Sequence, residues 1–151
     1  MALDYNTLNK LITYLEEMIS QLEEKQVTEQ KLQSDADLLF SIEHRLHTAI
    51  EAIINISEHI VAGLNLGHVD YAKDTFKVLS KEGIISKDLT ERLEKAADMR
   101  NILIHQYFEI DVRKIADAAT SDLKDLREFA KAINEFLEKQ GEVVEEEKKA
   151  E

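Results

Sequence analysis

Nine consecutive residues carry most of the chemical potential of this chain: Met99-Arg100-Asn101-Ile102-Leu103-Ile104-His105-Gln106-Tyr107. If they lie on a helix, Asn101 and His105 stand at i and i+4 and share a face. Tyr107 follows Arg100 by seven residues and nearly eclipses it. At 3.6 residues per turn, Arg100 and His105 fall about 140° apart. One straight helix therefore aligns them imperfectly. The long Arg side chain can wrap round, the helix can deform near its end, or a second copy can complete the site. The residue types suit RNA cleavage. A guanidinium grips a phosphate in bidentate fashion and stabilises the charge that builds up on it. A histidine takes the proton of a ribose 2′-OH or delivers one to the departing 5′-oxygen. An asparagine orients either group, and no metal is required. The alternative is purely structural: Arg100 makes a salt bridge and His105 caps the carbonyls near Ile110.

The chain has five histidines, the side chains that titrate nearest neutral pH. His44 and His47 are three apart, and Glu51 follows His47 at i+4, so a metal site is geometrically possible. The plainer reading is a solvated or half-buried polar face. That spacing is common by chance and no second ligand cluster accompanies it. His59 reads as helix surface and His68 as loop. Neither a resident metal nor a cofactor is expected.

These residues must be positioned by helices. The chain has 151 residues, no Pro, no Cys and four Gly. An all-β fold needs turn residues every 8–12 positions or so, and this composition does not supply them. Without Cys there are no disulfides, thiolate nucleophiles or Cys-bound metals. The apolar share of 44% excludes a wholly disordered chain. The net charge of −12 disfavours a general nucleic-acid coat, because such affinity comes from cations on phosphates. It leaves room for a small local RNA site. No secretory signal and no run of about 18 apolar residues is present, so the expectation is a soluble, cytoplasmic protein.

Helical periodicity runs almost throughout. A first helix is capped by Asp4 and carries Leu8, Leu11, Ile12, Leu15, Ile19 and Leu22. A long second segment starts near Thr28 and ends around Gly63 and Gly67, with a bend or break expected near Ser34-Asp35. A third helix is expected over 70–82 with Asp70 as its cap and Gly83 as its left-handed stop. Ser86 caps a fourth. Asp111 caps a fifth, whose seam Val112, Ile115, Ala119, Leu126, Ala130, Ile133 and Leu137 runs to a stop at Gly141. The expected fold is all-α, a single antiparallel bundle of about five helices over residues 1–141, followed by a charged, frayed tail at 142–151.

At the Arg100 segment the sequence resembles the HepT-like toxins, a branch of the HEPN superfamily (higher eukaryotes and prokaryotes nucleotide-binding domains). The family motif is Arg, four residues, His, one residue, Tyr. Arg100, His105 and Tyr107 match it, with the polar Asn101 behind the Arg. Asp70-Tyr71, the turn from Leu79 through Glu82-Gly83-Ile84-Ile85, Leu93 and Glu109-Ile110-Asp111 extend the match over roughly residues 35–137. The resemblance implies a HEPN-like homodimer with two motif helices facing one cleft. It implies a metal-independent endoribonuclease toxin with Arg100, Asn101 and His105 as catalytic residues and RNA as substrate. It also implies an antitoxin, a minimal nucleotidyltransferase that adenylylates the motif tyrosine, Tyr107. This chain lacks a Gly-Ser element followed by paired Asp ligands for Mg–ATP, so that activity needs a separate partner. The runner-up is a non-catalytic helical dimer that serves as the docking or substrate-binding subunit of a nucleotidyltransferase. A local excess of Lys and Arg, with Arg92, Lys95, Arg113 and Lys114 as candidates, would favour the ribonuclease over it.

Overall fold

The computed structural model describes residues 3–105 and 110–150, and the side chains outside 142–148. Tyr107, the expected modification site, lies outside the described residues. The described chain is helical in seven elements: α1 (Tyr5–Glu24), α2 (Glu29–Ser34), α3 (Ala36–Gly63), α4 (Asp74–Lys81), α5 (Lys87–His105), α6 (Val112–Ala118) and α7 (Leu123–Ala150). It is an all-α antiparallel bundle. The central α3 packs against α1, α4 and α5, and α1 also packs on α7. None of the described helices is long and apolar enough to cross a membrane.

Side-chain caps set several of the helix starts. Asp4 accepts from the Thr7 amide, Thr28 from Lys31, Asp35 from Leu38 and Asp111 from Arg113. Ser86 accepts from the Leu89 amide at 3.0 Å and so opens α5. Each such cap satisfies one of the backbone donors a helix start leaves unpaired. The expected break near Ser34-Asp35 is present: Asp35 is extended at φ −136° and ψ 97° and ends α2 while capping α3.

Three expectations are corrected. The helix expected from Asp70 starts at Asp74. Asp70 instead holds His68, whose Nε2 lies 3.0 Å from its carboxylate. The segment expected to run unbroken from Asp111 is two helices, α6 and α7. Between them Thr120 donates to the Ala116 carbonyl at 2.7 Å and Ser121 to the Asp117 carbonyl at 3.3 Å, the kind of local side-chain bond that competes with helix. Ala119 and Leu126 stay buried on either side of the break, so the apolar seam crosses it unmarked. Finally, Gly141 does not end the last helix, which continues to Ala150.

The stop after α3 is also finer than the glycines imply. Asn65, at φ 54°, takes the left-handed position, and the Leu66 amide reaches back to the Val61 carbonyl at 2.9 Å. Gly83 does hold the left-handed position expected of it, at φ 74°, which suits a residue without Cβ. The core joins Leu8, Leu15 and Ile19 of α1 to Ile42, Leu46 and Ile53 of α3. Phe76 of α4 meets Phe129 of α7 edge to face, with centroids 6.3 Å apart. Full burial of each such side chain stabilises by roughly 1.5–3 kcal/mol.

Candidate functional site

α5 is deeply buried in its first half and only partly buried in its second, where Met99 and Leu103 still pack against the core. Its buried residues are Leu89, Thr90, Leu93 and Ala97, a stripe at three- and four-residue spacing. Beyond Ala97 no residue of α5 is fully buried, and Ile104 is an exposed large apolar side chain. The last two turns therefore present Arg100, Asn101 and His105 near the surface of a helix whose other end is fixed in the core.

The three do not converge. Asn101 and His105 are both exposed, and no hydrogen bond joins them among the described residues. Arg100 points elsewhere. Its Nη1 donates to Oε1 of Glu51 on α3 at 2.6 Å, with side chains only 20% and 31% exposed. The salt bridge of the structural alternative is thus present. The Nε of Arg100 is buried without a partner among the described residues. His47 Nε2 stands 3.7 Å from the same Glu51 oxygen, one helical turn away. The polar face of His47 and Glu51 is therefore real, but its carboxylate faces an arginine. His44 is exposed beside it. Among the described residues, no three His, Asp or Glu side chains are grouped to hold a metal.

A cleft of about 370 Å³ opens between α3, α5, α6 and α7 next to this pair. Ile50 and Met99, the chain neighbours of Glu51 and Arg100, form part of its apolar wall, and Lys95 and Lys124 stand among the charged residues lining it. Asp122 also lines it. Burial, then the carboxylates of Asp125 and Asp117, push its carboxyl group above the ordinary value.

Arg92, one of the expected free cations, is spoken for. It donates to Asp125 at 2.5 Å, Glu128 at 2.7 Å and Asp88 at 2.9 Å. The hydrogen bond it donates to Asp125, followed by that to Glu128, raises its already high pKa further. It fastens α5 to α7 and is not available to a phosphate. Lys95, Arg113 and Lys114 are exposed. The residue that sequence reasoning did not connect to the motif is Glu51. Its only signal was the i+4 spacing from His47, and nothing in the sequence tied it to an arginine 49 positions later.

The fold is an antiparallel helical bundle, with Arg100, Asn101 and His105 on the last turns of α5. The solved structure of the tri-AMPylated Shewanella oneidensis HEPN toxin in complex with MNT antitoxin is similar to it, with a TM-score of 0.78 and 24% identity over 84% of this chain and 96% of that one. The chain belongs to the ribonuclease HepT-like family, which matches residues 15–133. It is 26% identical to the mRNA nuclease HepT of Shewanella oneidensis over 126 residues, 83% of this chain and 94% of that protein. It is 28% identical to the tRNA nuclease HepT of Aphanizomenon flos-aquae over 107 residues, 67% of this chain and 73% of that one.

Proposed function

We propose that this chain is the endoribonuclease toxin of a toxin–antitoxin pair, acting without a metal through Arg100, Asn101 and His105. The observation that carries this reading is the helix end itself: in a chain of the ribonuclease HepT-like family, Asn101 and His105 are solvent-exposed while Arg100 is held one face away. In the reaction, a histidine removes the 2′-OH proton and the 2′-oxygen attacks the adjacent phosphorus. The bond to the 5′-oxygen breaks, and that oxygen leaves with a proton from a general acid. The products are a 2′,3′-cyclic phosphate and a 5′-OH. Arg100 stabilises the extra charge on the phosphorane. One His105 per chain supplies one proton-transfer group at a time, so a homodimer with two motif helices facing one cleft provides both the base and the acid. The partner is a minimal nucleotidyltransferase that silences the toxin by adenylylating Tyr107, and the site of action is the cytoplasm.

A second reading, a non-catalytic dimer that docks a nucleotidyltransferase, is favoured by one observation: Arg100 is already ion-paired. Inducible expression of the chain and of His105→Ala separates the two. The ribonuclease arrests growth and degrades RNA, and His105→Ala does neither. Purified protein cleaves RNA in EDTA and leaves 2′,3′-cyclic phosphate ends. Equal cleavage by wild type and His105→Ala, or none by either, rejects the ribonuclease and leaves the docking subunit.

A further inference from the structure

We propose that Glu51 is a positioning residue for Arg100, an inference that rests on the ribonuclease reading of the motif. Three observations carry it. The Glu51–Arg100 contact is half-buried, so water screens it less than an exposed pair. It is also the one side-chain hydrogen bond between α3 and α5 among the described residues. It falls beyond Ala97, where the buried stripe of α5 ends. It therefore adds a directional polar tie to the functional end of α5, where the apolar packing that remains comes from half-buried side chains, Met99 and Leu103. A free arginine spends its rotamer freedom when it closes on a phosphate, whereas one already fixed by a carboxylate does not.

The geometry favours positioning over blockade. Glu51 engages Arg100 through a single nitrogen, Nη1. A guanidinium has five N–H donors; with one on Glu51 and the Nε donor buried, the second Nη1 hydrogen and both Nη2 hydrogens are left for a phosphate, where a fork-to-fork pair would consume an entire edge. His47 Nε2 lies 3.7 Å from the same carboxylate oxygen.

The test is a double-mutant cycle on RNA cleavage by the full chain: wild type, Glu51→Ala, Arg100→Ala and the double variant. Glu51→Ala is expected to lower kcat roughly 10- to 100-fold, the scale of lost orientation, and to have no further effect once Arg100 is Ala. Glu51→Gln, which keeps the acceptor but not the charge, recovers part of the loss. A loss that persists undiminished in the Arg100→Ala background overturns the proposal, as does an unchanged or faster Glu51→Ala. Circular dichroism melting identifies a variant that fails to fold, and Glu51→Gln then stands in for Glu51→Ala. A second readout needs no activity. The Nε–Hε resonance of Arg100, assigned by its loss in Arg100→Ala, should move or broaden in Glu51→Gln. An unchanged resonance overturns the proposal even if the chain cleaves nothing. If Arg100→Ala and His105→Ala both cleave like wild type, the ribonuclease reading fails, and this resonance still decides whether Glu51 holds Arg100.

Discussion

Arg100 and His105 share α5 but not a face. Arg100 is turned inward onto Glu51 of α3 at 2.6 Å, while His105 stands exposed five residues later. The separation is what 100° per residue dictates in a helix that runs through both residues. If the two residues act together, they do so most simply across two copies of the chain. Purified Arg100→Ala and His105→Ala should each cleave RNA far more slowly than wild type, whereas their mixture, refolded together, should regain part of the lost rate, because its mixed dimers bring one intact Arg100 and one intact His105 to the shared cleft. A mixture no faster than its components counts against a site shared between two copies.

Arg92 makes the opposite prediction from Arg100, although both are arginines on one helix. It is bound to three carboxylates, and one of them, on Asp125, has a side chain only 12% exposed. Removing Arg92 leaves that carboxylate short of its partner, a loss of about 1–3 kcal/mol. Arg92→Ala should lower the urea midpoint by a corresponding amount and leave the RNA cleavage rate of the folded fraction unchanged. A fall in kcat with unchanged stability would move Arg92 into the site.

The contrast between these arginines shows where the sequence was readable. Caps are local, so Asp4, Thr28, Ser86 and Asp111 announce helix starts within three residues of themselves. The break at Asp35 was legible because Ser34-Asp35 interrupts a segment too long for one globular helix. The break after Ala118 was not. Ala119 and Leu126 keep the apolar period across it, and the hydroxyls of Thr120 and Ser121 act below the resolution of periodicity. Asp70 looked like a cap because its type is right, but the turn through Tyr71 delays the helix to Asp74. The identity of Arg100, Asn101 and His105 as chemical candidates is local too. Which arginine is tied to which carboxylate is not, since Glu51 and Arg100 meet only once α3 and α5 have packed.

Glu43 gives a pH prediction with a definite sign. It sits on α3 two turns before Glu51, has no ion pair or hydrogen bond among the described residues, and is partly buried. Burial raises its pKa above the ordinary 4.5. The folded state thus favours the protonated acid. Its stabilising contribution is complete below the unfolded pKa and is lost as pH rises through the folded one. Glu43→Gln removes the buried charge, so it should melt at a higher temperature than wild type at about pH 7 and at nearly the same temperature at about pH 3.5. A constant offset across both pH values would assign the effect to packing.

The control point is the last expectation. Tyr107 follows His105 by two residues in the chain, and an adenylyl group on its phenol oxygen would bring a phosphodiester close to the motif. That phosphate carries a negative charge and competes with substrate for the donors of Arg100 that Glu51 leaves open, through a charge-assisted hydrogen bond. The attached nucleoside would occupy space a substrate RNA needs. Incubation with a cognate minimal nucleotidyltransferase and Mg–ATP should add one or more AMP units to Tyr107, as read by mass spectrometry, and abolish RNA cleavage. Tyr107→Phe should accept no AMP and stay active in the presence of the transferase. In Arg100→Ala the modification should still occur, because the tyrosine and not the arginine is the acceptor. AMP found instead on Tyr5, Tyr14 or Tyr71, or cleavage undiminished by a fully modified Tyr107, would remove the tyrosine from control of the site.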